Sequence, residues 1–185
     1  LRGVYTERSE CAQGDRQKEM AAVSNPDLTK VNSAVMIQCV GSRDKEHPYC
    51  SRICCSFAIK NALKFKQFKP EASVYILYRD IRSYGFREEY YRKAREAGVV
   101  FIRYEDTKKP EVARKNGKLR VSMEDLILKQ KVAIDTDLVV LSSGTVPIQG
   151  NEDMAKKLKV PLNQDKFFLE AHMKLRPVDF ATDGI

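Results

Sequence analysis

The stretch from Ala34 to Val40 (AVMIQCV) is apolar except at Gln38. A strand without polar–apolar alternation has no face to give to water, so it belongs in a parallel sheet covered on both sides. It stops at Gly41-Ser42-Arg43-Asp44, a turn signal. After Pro48 the sequence predicts a helix from Tyr49 or Cys50 to about Phe68, ended by Lys69-Pro70. Its expected buried stripe is Ile53, Phe57, Ala58, Ala62 and Phe65, with Lys60, Lys64 and Lys66 on the wet side. Ser73 to Tyr78 is a second apolar strand and Arg87 to Ala97 a second amphipathic helix ended by Gly98. Val99 to Tyr104 is a third strand. Strand and helix alternate as βαβαβ, which implies an α/β fold built on a right-handed, Rossmann-like parallel sheet.

Past Pro110 the pattern changes. Asn116-Gly117 between Val112–Lys115 and Lys118–Val121 predicts an antiparallel hairpin with a type I′ turn. Leu138 to Leu141 reads as a last buried strand, leading into a strand-end turn at Ser142-Ser143-Gly144. Asn151 to Leu158 reads as a short helix. The expected organisation is an irregular lead-in over 1–30, a Rossmann-like domain over 31–150 and a mostly irregular segment over 151–185. The ends, Leu1 and Ile185, read as those of a piece excised from a longer protein.

The balance of 33 Lys and Arg against 25 Asp and Glu in 185 residues, a net charge of +8, is spread along amphipathic segments. It suits a solvated surface or acidic partners. No apolar stretch approaches the roughly 20 residues of a membrane span. The aromatics Phe65, Phe68, Tyr90 and Tyr91 fall on apolar helical positions and no nucleic-acid motif is present, so no nucleic-acid partner is expected.

Four of the five cysteines, Cys39, Cys50, Cys54 and Cys55, lie within 17 residues; Cys11 stands apart. A secreted disulfide framework spaces its cysteines differently, so the chain reads as a protein of a reducing, cytoplasmic compartment. On the expected helix Cys50 and Cys54 share a face, with Cys55 about 100° further round. Cys39 ends the preceding strand, so the four sulfurs converge at a helix N-terminus beyond the carboxyl edge of the sheet, where open α/β sheets place their ligands. A dinucleotide would need Gly-x-Gly-x-x-Gly at that turn, and only Gly41 is there. Four thiolates suit a 4Fe-4S cluster or tetrahedral zinc, and the adjacent Cys54-Cys55 pair fits two corners of a cluster better than one small ion. Buried or disulfide-paired cysteines are the remaining alternative. Arg43 and Arg52 flank the set and could offset negative charge; His47 is read as a loop histidine, and Asp80 as a cap or a partner of Arg79 or Arg82.

Ile37-Gln38-Cys39-Val40-Gly41-Ser42-Arg43-Asp44, Tyr49-Cys50-Ser51-Arg52-Ile53-Cys54-Cys55 and Ala58-Ile59-Lys60 resemble the central part of the CoB-CoM heterodisulfide reductase iron-sulfur subunit family, the flavoprotein subunit of that enzyme. Tyr78 to Gly85, Ala94 to Val99, Phe101 to Tyr104 and Leu175 to Ile185 extend the resemblance over about 34–185; residues 1–30 and Cys11 lie outside it. The resemblance implies a thioredoxin-reductase-like flavoprotein. In it this region stands in place of the nicotinamide-binding subdomain, and Cys39, Cys50, Cys54 and Cys55 are the 4Fe-4S ligands. It further implies an oxidoreductase component that passes electrons between FAD and clusters of partner heterodisulfide-reductase-type subunits, with a homodimer left open. Leu141-Ser142-Ser143-Gly144 and Thr182-Asp183-Gly184-Ile185 resemble the segments by which such flavoproteins return to their FAD domain. The Gly-rich FAD-binding turn is absent, so FAD is expected in the parent and not in this fragment, which alone is expected to be inactive. The alternative is a structural domain, zinc-bound or metal-free, that docks partner subunits.

Overall fold

A computed structural model describes residues 27–115, 117–173 and 175–182. Most of the expected lead-in, Cys11, Asn116 of the hairpin turn and Asp183 to Ile185 of the return segment lie outside the described residues.

The apolar run forms β1 (Ser33–Val40), buried from Ala34 to Cys39. It leads to α1 (Cys54–Phe68), β2 (Ser73–Tyr78), α2 (Glu88–Glu96) and β3 (Val100–Arg103). One turn of 3-10 helix, Gly85–Arg87, opens onto α2, and Gly98 ends it at a positive φ of 81°. Three antiparallel strands follow, β4 (Glu111–Lys115), β5 (Lys118–Asp125) and β6 (Gln130–Thr136). The chain then re-enters the first sheet as β7 (Leu138–Ser143) before α3 (Asn151–Leu158). The parallel sheet has the order β3-β2-β1-β7, so β1 and β2 are central and β7 is reached by a three-stranded crossover instead of a helix. This is the Rossmann-like α/β fold expected.

Three layers result. Alternate residues of β1 point to opposite sides. Val35 and Ile37 pack with Val121, Met123 and Ile134 of the antiparallel sheet, while Met36 packs with Ala58, Ile59 and Ala62 of α1. Covering both faces is what the unbroken apolar strand requires.

Several local expectations are corrected. The helix begins at Cys54, not at Tyr49 or Cys50, because Arg52 has a φ of 62°, outside the right-handed helical region. The later start rotates the buried stripe: Cys55, Ala58, Ile59 and Ala62 are inside, while Ile53 and Phe57 are about half exposed at 52% and 54%. Phe65 and Tyr91 do pack into the core, but Phe68 and Tyr90 are exposed. Lys66 is half-buried, its Nζ donating to the carbonyls of Pro70 and Ala72 beyond the helix. Ser142 and Ser143 belong to β7, leaving Gly144 as the start of the turn, whereas the expected antiparallel hairpin is present as β4 and β5 and continues into β6.

Two long-range contacts tie β1 to β7. At the amino edge, Asp137 Oδ2 accepts from the Asn32 N–H (2.9 Å), the Ser33 N–H (3.1 Å) and the Ser33 hydroxyl (3.1 Å). At the carboxyl edge, the Gly144 N–H donates to the Val40 carbonyl at 2.7 Å, and a Cβ on Gly144 would lie 2.2 Å from the Gly41 carbonyl oxygen.

The Asn32 N–H, followed by the Ser33 groups, holds the Asp137 carboxyl below its usual range. A folded-state value below the unfolded one gives a contribution present above about pH 4 and lost as pH falls through the folded value. Asp137→Ala lowers stability by about 1 kcal/mol at neutral pH, allowing for the residue's exposure, and flattens the acid limb of the stability curve. Urea unfolding at several pH values reads both. Gly144→Ala costs about 1–3 kcal/mol through overpacking against the Gly41 backbone, read as a lower midpoint in the same titration.

Candidate metal centre

The carboxyl edge of the parallel sheet gathers all four expected cysteines into one region, from three different local environments. Cys39 is the penultimate residue of β1 and has a φ of 59°, a left-handed conformation that costs a non-glycine residue about 1–2 kcal/mol. The ladder to β7 is regular to Ile37–Leu141 and resumes, shifted, at Val40–Ser143. The irregularity re-aims the cysteine at the end of the strand, as bulges beside binding sites do.

Cys50 lies in the loop before α1. It is therefore not stacked above Cys54 on one helical face. Its sulfur faces the Arg52 backbone N–H at 3.3 Å. Cys54 and Cys55 open α1, whose N-terminus has no side-chain cap and no acidic residue in its first turn. The positive end of the helix dipole is thus left to the thiols. Two more residues of the loop, Arg43 (φ 59°) and Arg52 (φ 62°), are also left-handed. Three of the six non-glycine residues at positive φ among the described residues thus lie between Cys39 and Arg52, and strained backbone of this kind is found at functional sites.

The loop is braced on both sides. The Arg43 N–H donates to the Tyr49 carbonyl at 3.0 Å, and Asp44 Oδ1 accepts from the N–H groups of Glu46 and His47. The Thr145 N–H just after β7 donates to the Ser51 hydroxyl at 2.9 Å. His47 packs edge-on against Tyr49 with its Nδ1 4.0 Å from Asp44, as befits a loop residue.

All four cysteines are free thiols, with no disulfide between them. Cys54 hydrogen-bonds to Cys55, so Cys55 ionises more readily and Cys54 less so; burial and the charges of Cys55, Cys39 and Cys50 push Cys54 up further. Burial raises the Cys39 thiol, and the charges of Cys55 and Cys50 add to it, against the pull of Arg43. The Cys55 sulfur lies 3.8 Å from the Asp80 carbonyl oxygen, and the Arg82 backbone N–H also reaches it. Among the described residues no three His, Cys, Asp or Glu side chains are gathered as the shell of one metal ion.

The positive charge beside the thiols comes from Arg43, whose Nη1 is 3.9 Å from Cys39 Sγ and 2.7 Å from Asp80 Oδ1. Arg79 Nη1 donates to the Arg43 carbonyl at 2.7 Å, fixing that loop over the end of β2. Burial opposes ionisation of Asp80, but Arg82, at 2.9 Å, and Arg43 hold its carboxyl below its usual range. Asp80 thus pairs with Arg82 as expected and with Arg43, which no local pattern announces; Arg79 pairs with Asp106 instead. Arg52 contributes its backbone, since its guanidinium is held by Glu170 at 2.6 Å.

No protein-family model matches the chain. The CoB-CoM heterodisulfide reductase iron-sulfur subunit of Methanocaldococcus jannaschii is 51% identical over 158 residues, covering 82% of this chain and 23% of that protein. The corresponding subunit of the H2/formate:CoB-CoM heterodisulfide,ferredoxin reductase of Methanococcus maripaludis is 47% identical, with the same coverage. That of the H2:CoB-CoM heterodisulfide,ferredoxin reductase of Methanothermobacter thermautotrophicus is 38% identical over 100% of this chain and 28% of its own length. Among solved structures, thioredoxin reductase from T. acidophilum aligns with a TM-score of 0.47 at 15% identity, over 79% of this chain and 41% of that one. The chain spans about a quarter of the length of the curated relatives it matches. By sequence it belongs, as a segment, to the CoB-CoM heterodisulfide reductase iron-sulfur subunit family.

Proposed function

We propose that the chain is the electron-transfer module of a heterodisulfide-reductase-type iron-sulfur flavoprotein, with Cys39, Cys50, Cys54 and Cys55 as ligands of a 4Fe-4S cluster. The observation that carries this reading is four free thiols from a strand end, a loop and a helix start, set together at the carboxyl edge of a parallel sheet. The iron-sulfur designation of the Methanocaldococcus relative supports it. Bound there, such a cluster supplies one-electron chemistry between the FAD of the parent protein and the clusters of partner subunits.

The chain's own residues supply what an anionic centre needs. The four thiols give up their protons on ligation, a loss favoured by the uncapped start of α1 and by Arg43. The adjacent Cys54-Cys55 pair at the start of α1 suits two corners of a cluster better than a single zinc ion. Asp80, by tying Arg43 and Arg82 together, holds positive charge at the site without adding a ligand. No residue of the site is arranged for proton-transfer catalysis, so the role is relay, in a reducing cytoplasmic setting that keeps thiols free. Residues 31–150 form the relay domain. Residues 151–185 are assigned as the return segment toward the FAD domain of the parent, a reading supported by the exposure of Leu175 and Val178. No helix among the described residues is long and apolar enough to cross a membrane.

Anaerobic reconstitution with iron and sulfide yields about four of each per chain and, after dithionite reduction, an electron paramagnetic resonance signal of a reduced cluster. Cys54→Ala and Cys55→Ala, made separately, each lose most of the bound iron and that signal. Full retention in both overturns the ligand assignment, and a colourless protein carrying one zinc per chain overturns the relay.

A further inference from the structure

Gln38 breaks the apolar run of β1, and its side chain is completely buried. Among the described residues neither its Nε2 nor its Oε1 has a hydrogen-bond partner. An orphaned buried amide is expensive, and an apolar residue of the same size would avoid the cost. Its backbone is otherwise engaged, the carbonyl accepting from the Tyr104 hydroxyl.

The position of Gln38 says what the amide serves. Strand alternation puts it on the side of Met36, which packs against Ala58 and Ile59 of α1. Two residues further along β1, Gln38 stands nearer the carboxyl edge, toward the first turn of α1, where Cys54 and Cys55 are; its own neighbour in sequence is Cys39. Ser56, next after Cys55, has a hydroxyl that is likewise buried and unpartnered. The third residue with such an atom, Tyr49, has a hydroxyl that feels Asp165 and Asp44 and no cysteine, so it does not belong to this group.

We propose that the Gln38 carboxamide is a buried hydrogen-bond donor to the sulfurs of the cysteine-held centre, a positioning and potential-setting residue, with the Ser56 hydroxyl as a weaker second donor. The inference rests on the cluster reading above. Reduction adds one negative charge to a cluster, and N–H donors to its sulfurs stabilise the charge, so they raise the reduction potential. The amide finds no acceptor among the described residues because its acceptor is the bound centre.

The test compares reconstituted and metal-free protein. Gln38→Met preserves side-chain length and removes both amide groups; Gln38→Leu is the second variant should the first fail to fold. Expected for the reconstituted variant are unchanged iron content, a more negative midpoint potential and shifted g values in the reduced state. In the metal-free protein the same substitution raises the unfolding midpoint, since an unsatisfied polar group is removed from the interior. Ser56→Ala moves the potential in the same direction by less. An unchanged potential and spectrum, or a metal-free variant less stable than the parent sequence, overturns the inference while leaving the cluster reading intact. Failure of the unsubstituted chain to take up iron and sulfide overturns both.

Discussion

The cysteine site depends on how β1 leaves the sheet. At its carboxyl edge the Gly144 N–H donates to Val40, and the bare Cα of Gly144 sits against the Gly41 backbone, closer than any side chain allows. That contact locks the turn after β1 to the turn after β7, two segments far apart in sequence. With both ends pinned, Cys39 is held at a left-handed φ that a free chain would relax. Strain in three residues of one loop is tolerated because hydrogen bonds involving Tyr49, Asp44 and Thr145 over-determine the path.

Charge at the site is organised by the same geometry. The ends of parallel strands converge with helix N-termini, so Asp80 after β2 and Arg43 after β1 meet across the crevice that a dinucleotide occupies in nucleotide-binding sheets of this kind. Here glycines that would admit a pyrophosphate are missing, and thiols, an arginine and an open helix N-terminus are present instead. On the cluster reading proposed above, a crevice that elsewhere takes a diffusible anion would hold a fixed anionic one.

Much of this is legible in the residues. The parallel strands show as unbroken apolar runs, because burial on both faces leaves no polar position; the expected and observed bounds of β1, β2 and β7 agree within a residue or two. The start of α1 is not legible, since helical periodicity extends smoothly through Cys50 to Cys54 and nothing in an arginine announces the positive φ of Arg52. A start placed too early carries Ile53 and Phe57 wrongly into the core. The strand β6 (QKVAIDT) has no clear signature because its outward Lys131, Ala133 and Asp135 dilute the apolar signal of Val132 and Ile134.

By itself the sequence determined the alternation of strand and helix, the placing of Cys39 at a strand end, and the absence of a dinucleotide fingerprint. These follow from local pattern, which residue types and spacing express directly. Only the tertiary structure decided that Cys50 belongs to the loop, that Arg43 and not Arg52 brings its charge to the thiols, and that Asp80 bridges two arginines. It also decided that Gln38 is buried without a partner among the described residues. Each of these depends on backbone conformations imposed by contacts between distant segments, above all Gly41 with Gly144, and such contacts leave no periodic trace in the chain that forms them.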